Sequence, residues 1–347
     1  MQKNVKLKKG AFMEYKTLYI AGISILLLFL GGCAQKVKVR ALEPAEIDRV
    51  AYTKRIAITN FKNDRVGLAG KIEAKLAKFQ IDGKNYFRVI SRNDLKKVIQ
   101  EQKLQSSGLV DEKTAVKLGE VVGAQAIVSG RVSTPTKQDS YFYENRVKCA
   151  DLKCKEIVTY QVRCMKRLFS LSADLKIVDV AKTDIIYADT ITKGAMYKHC
   201  SDDSRALPST EMAAQNLANQ IADSFTYKLT PHYRNFEVSL LEDPDLDYTD
   251  RQKKLLEVSL EYIEHGRLDK AEQFLTQLIS STGEKSYVAF YNLGVVKEAQ
   301  GDYEAAKEYY EYADHLMVEP VEEINKAVVR INQLIAKRKK TMEQLNR

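Results

Sequence analysis

Five cysteines carry the side chains of this 347-residue chain whose spacing most readily implies chemistry: Cys33, Cys149, Cys154, Cys164 and Cys200. A thiol can be a nucleophile, a metal ligand, half of a disulfide or a site of covalent modification, and its surroundings decide which. Cys33 stands apart, at the end of an apolar run. The other four form an even set, which reads as two disulfides in an oxidising compartment. The rival reading is a zinc site with His199 beside Cys200, but the paired C-x-x-C units of common structural zinc sites are missing. Gly67-Leu68-Ala69-Gly70-Lys71 echoes a phosphate loop, yet it lacks the four-residue spacing and the Ser or Thr after Lys, so a helix start is the better account. His199, His232, His265 and His315 are scattered without metal spacing. There is no serine elbow, and no carboxylate pair singles itself out. The expectation is a protein without catalytic residues, cofactor or metal.

Cys33 is set up by what precedes it. A Lys-rich stretch (Lys3, Lys6, Lys8, Lys9, Lys16) leads into an apolar run of 13 residues, Leu18 to Leu30, and then Leu30-Gly31-Gly32-Cys33. These are the parts of a secretory signal. The run is too short for a spanning helix, which needs about 20 residues. The Leu-Gly-Gly-Cys ending looks like a bacterial lipobox, in which the Cys receives a diacylglyceryl thioether and becomes the first mature residue. Residues 1–32 then read as the signal and 33–52 as a tether, with Met1 or Met13 as the start. Ala34, in place of Asp, favours the outer membrane in a cell with two membranes. The expected location is the outer membrane, lipid-anchored and facing the periplasm.

The mature chain, 33–347, is long enough for two domains. The formal charge of +9 falls to about +5 once the signal's five Lys and one Glu are removed. No basic tract stands out, and nucleic acid is a poor partner for an exported protein.

From Lys54 onward, strand and helix alternate. Arg55 to Asn60 reads as a strand. Gly67 to Phe79 reads as a helix with Ala69, Ile72, Leu76 and Phe79 on one face. Phe87 to Ile90 is a second strand, and Ser91 to Asp94 resembles a capping box opening a helix with Leu95, Val98 and Ile99 inward. Asp111 can cap a helix that buries Ala115, Leu118 and Val122, followed by a strand at Ala126 to Val132. Residues 168–179 give the cleanest pattern: Phe169, Leu171, Ala173, Leu175 and Ile177 alternate with polar residues, as on a half-buried strand. A turn at Ala181 to Asp184 returns a strand through Ile185 to Ile191. Pro208 then opens a helix with Ala213, Leu217, Ile221 and Phe225 spaced by four. The pattern predicts an α/β domain with a mixed sheet over 53–240. Folding about the 181–184 turn brings Cys164 opposite Cys200 to within a residue or two, and Cys149 and Cys154 flank a four-residue loop that closes a second hairpin between strands near 141–149 and 155–164. The expected pairs are 164–200 and 149–154, which staple an insertion at 133–165.

Beyond Glu242-Asp243-Pro244-Asp245 the chain is helical and repeated over 250–347. Leu255, Gly266, Leu268, Ala271 and Leu275 match Phe290, Gly301, Tyr303, Ala306 and Tyr310 at an offset of 35. This is a close match to the tetratricopeptide pattern, with Ser259 where the first repeat's packing Gly belongs. A last helix at about 321–345 caps the stack with Ile324, Val328, Ile331, Leu334 and Ile335 inward. The groove of such a stack takes a peptide or a partner helix, and Tyr291, Asn292, Lys297 and Glu298 are its candidate residues.

The stretch Tyr86-Phe87-Arg88-Val89-Ile90-Ser91-Arg92-Asn93-Asp94-Leu95, with Ser107-Gly108-Leu109-Val110, Gly123-Ala124-Gln125-Ala126-Ile127-Val128-Ser129-Gly130 and Val178-Asp179-Val180-Ala181-Lys182-Thr183, resembles the CsgG/HfaB family of curli secretion channels and holdfast-anchor lipoproteins. The resemblance covers about 54–195 and implies the α/β fold, a lipid anchor and a tendency to self-associate. The family's pore needs a constriction loop and two membrane hairpins. Only about five residues follow Asn60-Phe61 before the first helix, and the hairpin positions near 133–165 and 193–207 are rich in charge. The function expected is therefore an assembly or scaffold component of an envelope machine (secretion, surface appendage or flagellar type). It would recruit a periplasmic partner through its repeats. The alternatives are an oligomeric export channel and a monomeric activator of a cell-wall synthase.

Overall fold

The computed structural model describes residues 35–90 and 111–347. The signal at 1–32, the lipidation expected at Cys33 and the helix expected after Ser91 lie outside them. The chain divides into two compact units: Ala41–Arg234 with Leu334–Arg347, and Asn235–Gln333 with the stretch ending at Arg40. Strands β1 (Lys36–Glu43) and β10 (His232–Ser239), numbered in chain order, pair with each other.

The first unit is α/β. Its strands are β2 (Arg55–Ile58), the short hairpin β3 (Gln80–Ile81) and β4 (Lys84–Asn85), β5 (Arg88–Ile90), β6 (Ala126–Val132), β7 (Thr136–Cys149), β8 (Ile157–Asp179) and β9 (Asp184–Cys200). Its helices are α1 (Leu68–Lys78), α2 (Glu112–Val122) and α3 (Thr210–Leu229). The main sheet runs β5-β2-β6-β8-β7, and β9 takes the other edge of β8. The β5–β2 and β2–β6 pairs are parallel, and those of β8 with β6, β7 and β9 are antiparallel, which makes the sheet mixed.

Alternation along β8 has a direct cause. Phe169, Leu171, Ala173, Leu175 and Ile177 are buried against Leu217, Ile221 and Phe225 of α3 and Leu68, Ile72 and Leu76 of α1. On the opposite face, Ala57, Ile127 and Val178 meet Ala115 and Leu118 of α2. Helix α1 starts where the phosphate-loop echo stands, and Asp64 accepts hydrogen bonds from the Leu68 and Ala69 amides at 2.7 and 2.9 Å. That carboxylate fills the place at the helix N-terminus where an anion would sit. Asp111 and Ser209 cap α2 and α3 in the same way.

The second unit holds two helical hairpins, α4 (Asp250–Glu264) with α5 (Leu268–Ser281) and α6 (Tyr287–Gln300) with α7 (Tyr303–Leu316). They are followed by α8 (Glu322–Asn346), whose residues up to Gln333 belong to this unit. Thr249 and Gln252 form a capping box on α4. Gly266 and Gly301 take left-handed φ at the two intra-hairpin turns, the positions the 35-residue offset aligns. Among the described residues, no helix is long and apolar enough to cross a membrane.

Candidate functional site

Past the helices that cover the sheet, β7, β8 and β9 run on as an arm. β7 pairs with β8 over fourteen positions, from Thr136↔Ser170 to Cys149↔Ile157, and β9 follows β8 as far as Cys164↔Cys200. The turn after β8 does not set that last pairing alone. A bulge beside Ile177/Val178 inserts Ile186 into β9; without it, His199 would face Cys164. Cys164 is bonded to Cys200 and Cys149 to Cys154, which closes the tip. All four thiols are therefore spent, and the His199 Nδ1 lies 2.8 Å from the Arg205 carbonyl.

Strand alternation places Cys164 on the face opposite Phe169. There, Val162, Cys164 and Cys200 are buried with Phe142 and Tyr160 in a small cluster of their own. Charged groups tie this face down. Arg146 bridges Asp202 and Asp203 at 2.9 and 3.3 Å, Lys198 pairs with Glu144, and the Asp203 carboxylate accepts from the Cys200 amide at 2.6 Å. The other face carries a two-pronged Arg167–Asp139 pair at 2.7 Å, which holds the Asp139 carboxyl below its ordinary range. Tyr141, Tyr143, Val147 and Ile157 stand exposed on that same face. The Arg163 guanidinium lies 4.7 Å over the Tyr141 ring. Leu152 projects fully at the tip.

In the helical unit, the four residues expected to line a partner groove are mostly interior. Tyr291 is 1% exposed, and Asn292 and Glu298 are 0% exposed. Tyr291 donates to the Ser239 carbonyl at 2.7 Å. Asn292 accepts from the Leu241 amide and donates to its carbonyl, at 3.0 and 2.7 Å. Glu298 accepts two hydrogen bonds from Arg330, both 2.8 Å, and one from the Tyr310 hydroxyl at 2.5 Å. Lys297 reaches Glu272 at 2.6 Å. The correction has a simple reason: α6 is apolar nearly all round, and a helix of that kind is enclosed. Burial raises the Tyr310 phenol, and the neighbouring Glu298 charge adds to it. Burial opposes the Arg330 charge, but the hydrogen bonds and Coulomb attraction of Glu298 outweigh it and lift the group above its ordinary value.

Arg330 and Glu272, the partners that complete these pairs, escaped sequence reasoning because no local pattern links them to α6. A second omission was readable. The charge is divided along the chain: residues 241–333 hold 20 Asp and Glu against 10 Lys and Arg, whereas 33–240 and 334–347 hold 25 against 40. Counting by segment exposes this; counting over residues 33–347 as a whole hides it. Within the acidic segment, Glu242, Asp243, Pro244, Tyr287, Val321 and Glu323 line a cleft of about 520 Å3.

Residues 53–206 match the family model of the curli production assembly/transport component CsgG, and residues 287–313 match the tetratricopeptide-repeat model. No curated protein matches the chain. Among solved structures, the lipoprotein GNA1162 from Neisseria meningitidis is 13% identical, over 49% of this chain and 98% of its own, with a TM-score of 0.26. The LpoB C-terminal domain from Salmonella enterica is 13% identical over 43% and 95%, with a TM-score of 0.25. The PelC dodecamer from Paraburkholderia phytofirmans is 12% identical over 57% and 99%, with a TM-score of 0.20.

Proposed function

We propose that this chain, whose residues 53–206 form a CsgG-type domain and whose residues 287–313 form a tetratricopeptide repeat, is a non-enzymatic lipoprotein of the cell envelope that scaffolds a multiprotein assembly. Cys33 carries the lipid, and the outer membrane is the location this reading favours. The α/β domain joins the assembly, and the helical unit recruits a periplasmic partner. The observation that carries the reading is the union of the two modules in one chain. A repeat module of paired helices is a protein-binding device, and here it is tied to a domain of an envelope-assembly family. With Tyr291, Asn292 and Glu298 enclosed, the recruiting surface moves to the acidic exterior, including the cleft at Glu242, Asp243 and Glu323. A basic partner segment is its complement.

An export channel is the competing reading, since antiparallel arms of this length could cross a bilayer. The charges weigh against it. A barrel strand keeps its lipid face uncharged near the bilayer midplane. Here Asp139, Arg163 and Arg167 lie on one face of the β7–β8 ladder, and Glu144, Arg146 and Lys166 on the other.

The test is the native mass and bilayer conductance of the detergent-extracted protein, together with photo-crosslinking from Tyr287 in cells. A non-conducting species that crosslinks to a partner supports the scaffold. A closed ring that conducts ions, with no crosslinked partner, overturns it. Release of a Cys33→Ser variant from the membrane fraction checks the anchor separately.

A further inference from the structure

A cleft of about 690 Å3 opens in the α/β unit between the β3–β4–β5 segment and the last turns of α8. Four cations line it: Lys54, Lys84, Arg88 and Arg347. Asp82 is the one acid in its lining. Asp48 stands behind it, held by Arg347 at 3.1 and 3.2 Å.

The cations are poorly neutralised. The Lys54 ammonium donates to the Gln344 carbonyl at 2.9 Å and sits 3.4 Å from the centre of the Tyr86 ring, neither of which is an anion. Burial, and then the nearby Arg347 charge, push Lys54 down to about 8. Lys84 and Arg88 are exposed, and among the described residues neither has a carboxylate partner. Beneath them the Tyr86 hydroxyl is buried with no hydrogen-bond partner among the described residues. Arg347 is matched by Asp48 and by Glu343, 3.9 Å away, which leaves Lys54, Lys84 and Arg88 against Asp82 in the lining, an excess of two. Ile81, Phe87 and Leu345 supply an apolar wall beside that excess.

A group that carries nearly two negative charges at neutral pH and accepts hydrogen bonds on several oxygens meets this demand. A phosphate monoester does so, at about −1.5 to −2 near pH 7. Guanidinium binds such oxygens in a two-pronged fashion, and ammonium groups bind them as point charges. A carboxylate, with one charge, would leave the site half-neutralised. We propose that this cleft binds a phosphate monoester group through Lys54, Lys84 and Arg88, with any apolar body attached to it resting on Ile81, Phe87 and Leu345. The group could belong to a lipid headgroup or to a soluble phosphate ester, and the apolar wall separates the two cases by affinity.

The test is calorimetric titration of the full-length, detergent-extracted protein at matched ionic strength. Inorganic phosphate, dihexanoyl phosphatidic acid and dihexanoyl phosphatidylglycerol are compared with chloride. The variant is Lys84→Gln/Arg88→Gln, whose side chains are exposed and, among the described residues, without a carboxylate partner, so unchanged melting confirms an intact fold. Saturable phosphate binding is expected, weakened at least about tenfold in the variant by the loss of two charge-assisted contacts. If phosphatidic acid binds much more tightly than phosphate and loses that advantage in the variant, the source is a lipid. If the two bind alike, the source is a soluble ester. Three results overturn the proposal: no binding beyond chloride, binding unchanged in the variant, or phosphatidylglycerol, a diester, binding as well as phosphatidic acid.

Discussion

Removing the Glu298 carboxylate tests the central energetic element of the helical unit. Glu298 is fully enclosed, and its two oxygens take three hydrogen bonds from Arg330 and Tyr310. In Glu298→Ala, the Arg330 guanidinium, whose side chain is only 21% exposed, is left without a counter-charge. The Tyr310 hydroxyl also loses its acceptor in a region it cannot leave. Breaking one side of a buried pair costs about 3–5 kcal/mol. For a unit of this size each kcal/mol moves the melting midpoint by about 4–8 °C, so the helical transition should fall by at least about 12 °C. Replacing both charges behaves differently. Glu298→Met/Arg330→Met removes both desolvation penalties and leaves only the Tyr310 hydroxyl unmatched, a cost of about 1–3 kcal/mol. The double variant should therefore be more stable than Glu298→Ala, and adding Tyr310→Phe should recover most of the rest. Differential scanning calorimetry of the full-length protein, resolving the helical transition, measures each step. A loss under about 1 kcal/mol for Glu298→Ala, or a double variant equal to the sum of its singles, refutes the reasoning.

Three further outcomes follow from neighbouring geometry. Gly294→Ala would set a Cβ 2.7 Å from two ring carbons of Tyr310 and 3.3 Å from the Ala306 carbonyl. The Glu298 hydrogen bond holds that ring in place, so a loss of about 1–3 kcal/mol is expected in urea titration. Cys164→Ser/Cys200→Ser opens a link 36 residues apart in sequence, and Cys149→Ser/Cys154→Ser opens one only 5 apart. The first should cost about 2–4 kcal/mol and the second less, with its effect confined to tip protease sensitivity. Finally, burial raises the Tyr310 phenol well above the ordinary tyrosine value of about 10 in the fold. The folded state then holds a proton that the unfolded state gives up, so stability is intact below pH 10.0 and falls as pH rises beyond it. Urea midpoints between about pH 9 and about pH 11 should decline, and less steeply in Tyr310→Phe.

Legibility in the sequence tracked whether one physical constraint acted alone. β8 was readable over 168–179 because one of its faces meets α1 and α3 and the other does not, which prints a period of two. Its first half, from Ile157, has no such contrast, since both faces of the arm mix apolar and charged residues. The sequence therefore reads as two separate strands, near 155–164 and at 168–179, where the structure has one of 23 residues. The turn at 181–184 was enough to bring Cys164 near Cys200, but the final register rests on Ile186, a one-residue bulge that no propensity marks. The repeat was readable because Gly266 and Gly301 both sit where the chain must turn with positive φ, and because Gly294 admits the Tyr310 ring. What lay against α6 was not readable. Its polar residues Tyr291, Asn292 and Glu298 read as a groove in the sequence, yet each satisfies a group distant in sequence: Ser239, Leu241 and Arg330.

The division of charge ties the two surface readings together. A net positive charge over a whole chain suggests a single weakly basic object, but here it is the residue of two opposed fields. The acidic helical segment has twice as many acids as bases. The remainder of residues 33–347 has a large cationic excess, and part of it converges on the Lys54–Arg88 cleft. Fields of this kind act over about a Debye length, roughly 8 Å at physiological salt, so each operates at close range on what approaches it. Such fields would steer a basic partner to the helical unit and the proposed anionic group to the α/β unit. Raising ionic strength should weaken both, with the exposed helical surface losing more than the half-buried cleft, where screening ions penetrate less. A salt series that weakened one kind of binding and left the other untouched would locate the electrostatic contribution in a single unit. Equal loss in both would mean that the cleft is no more enclosed than an ordinary surface patch.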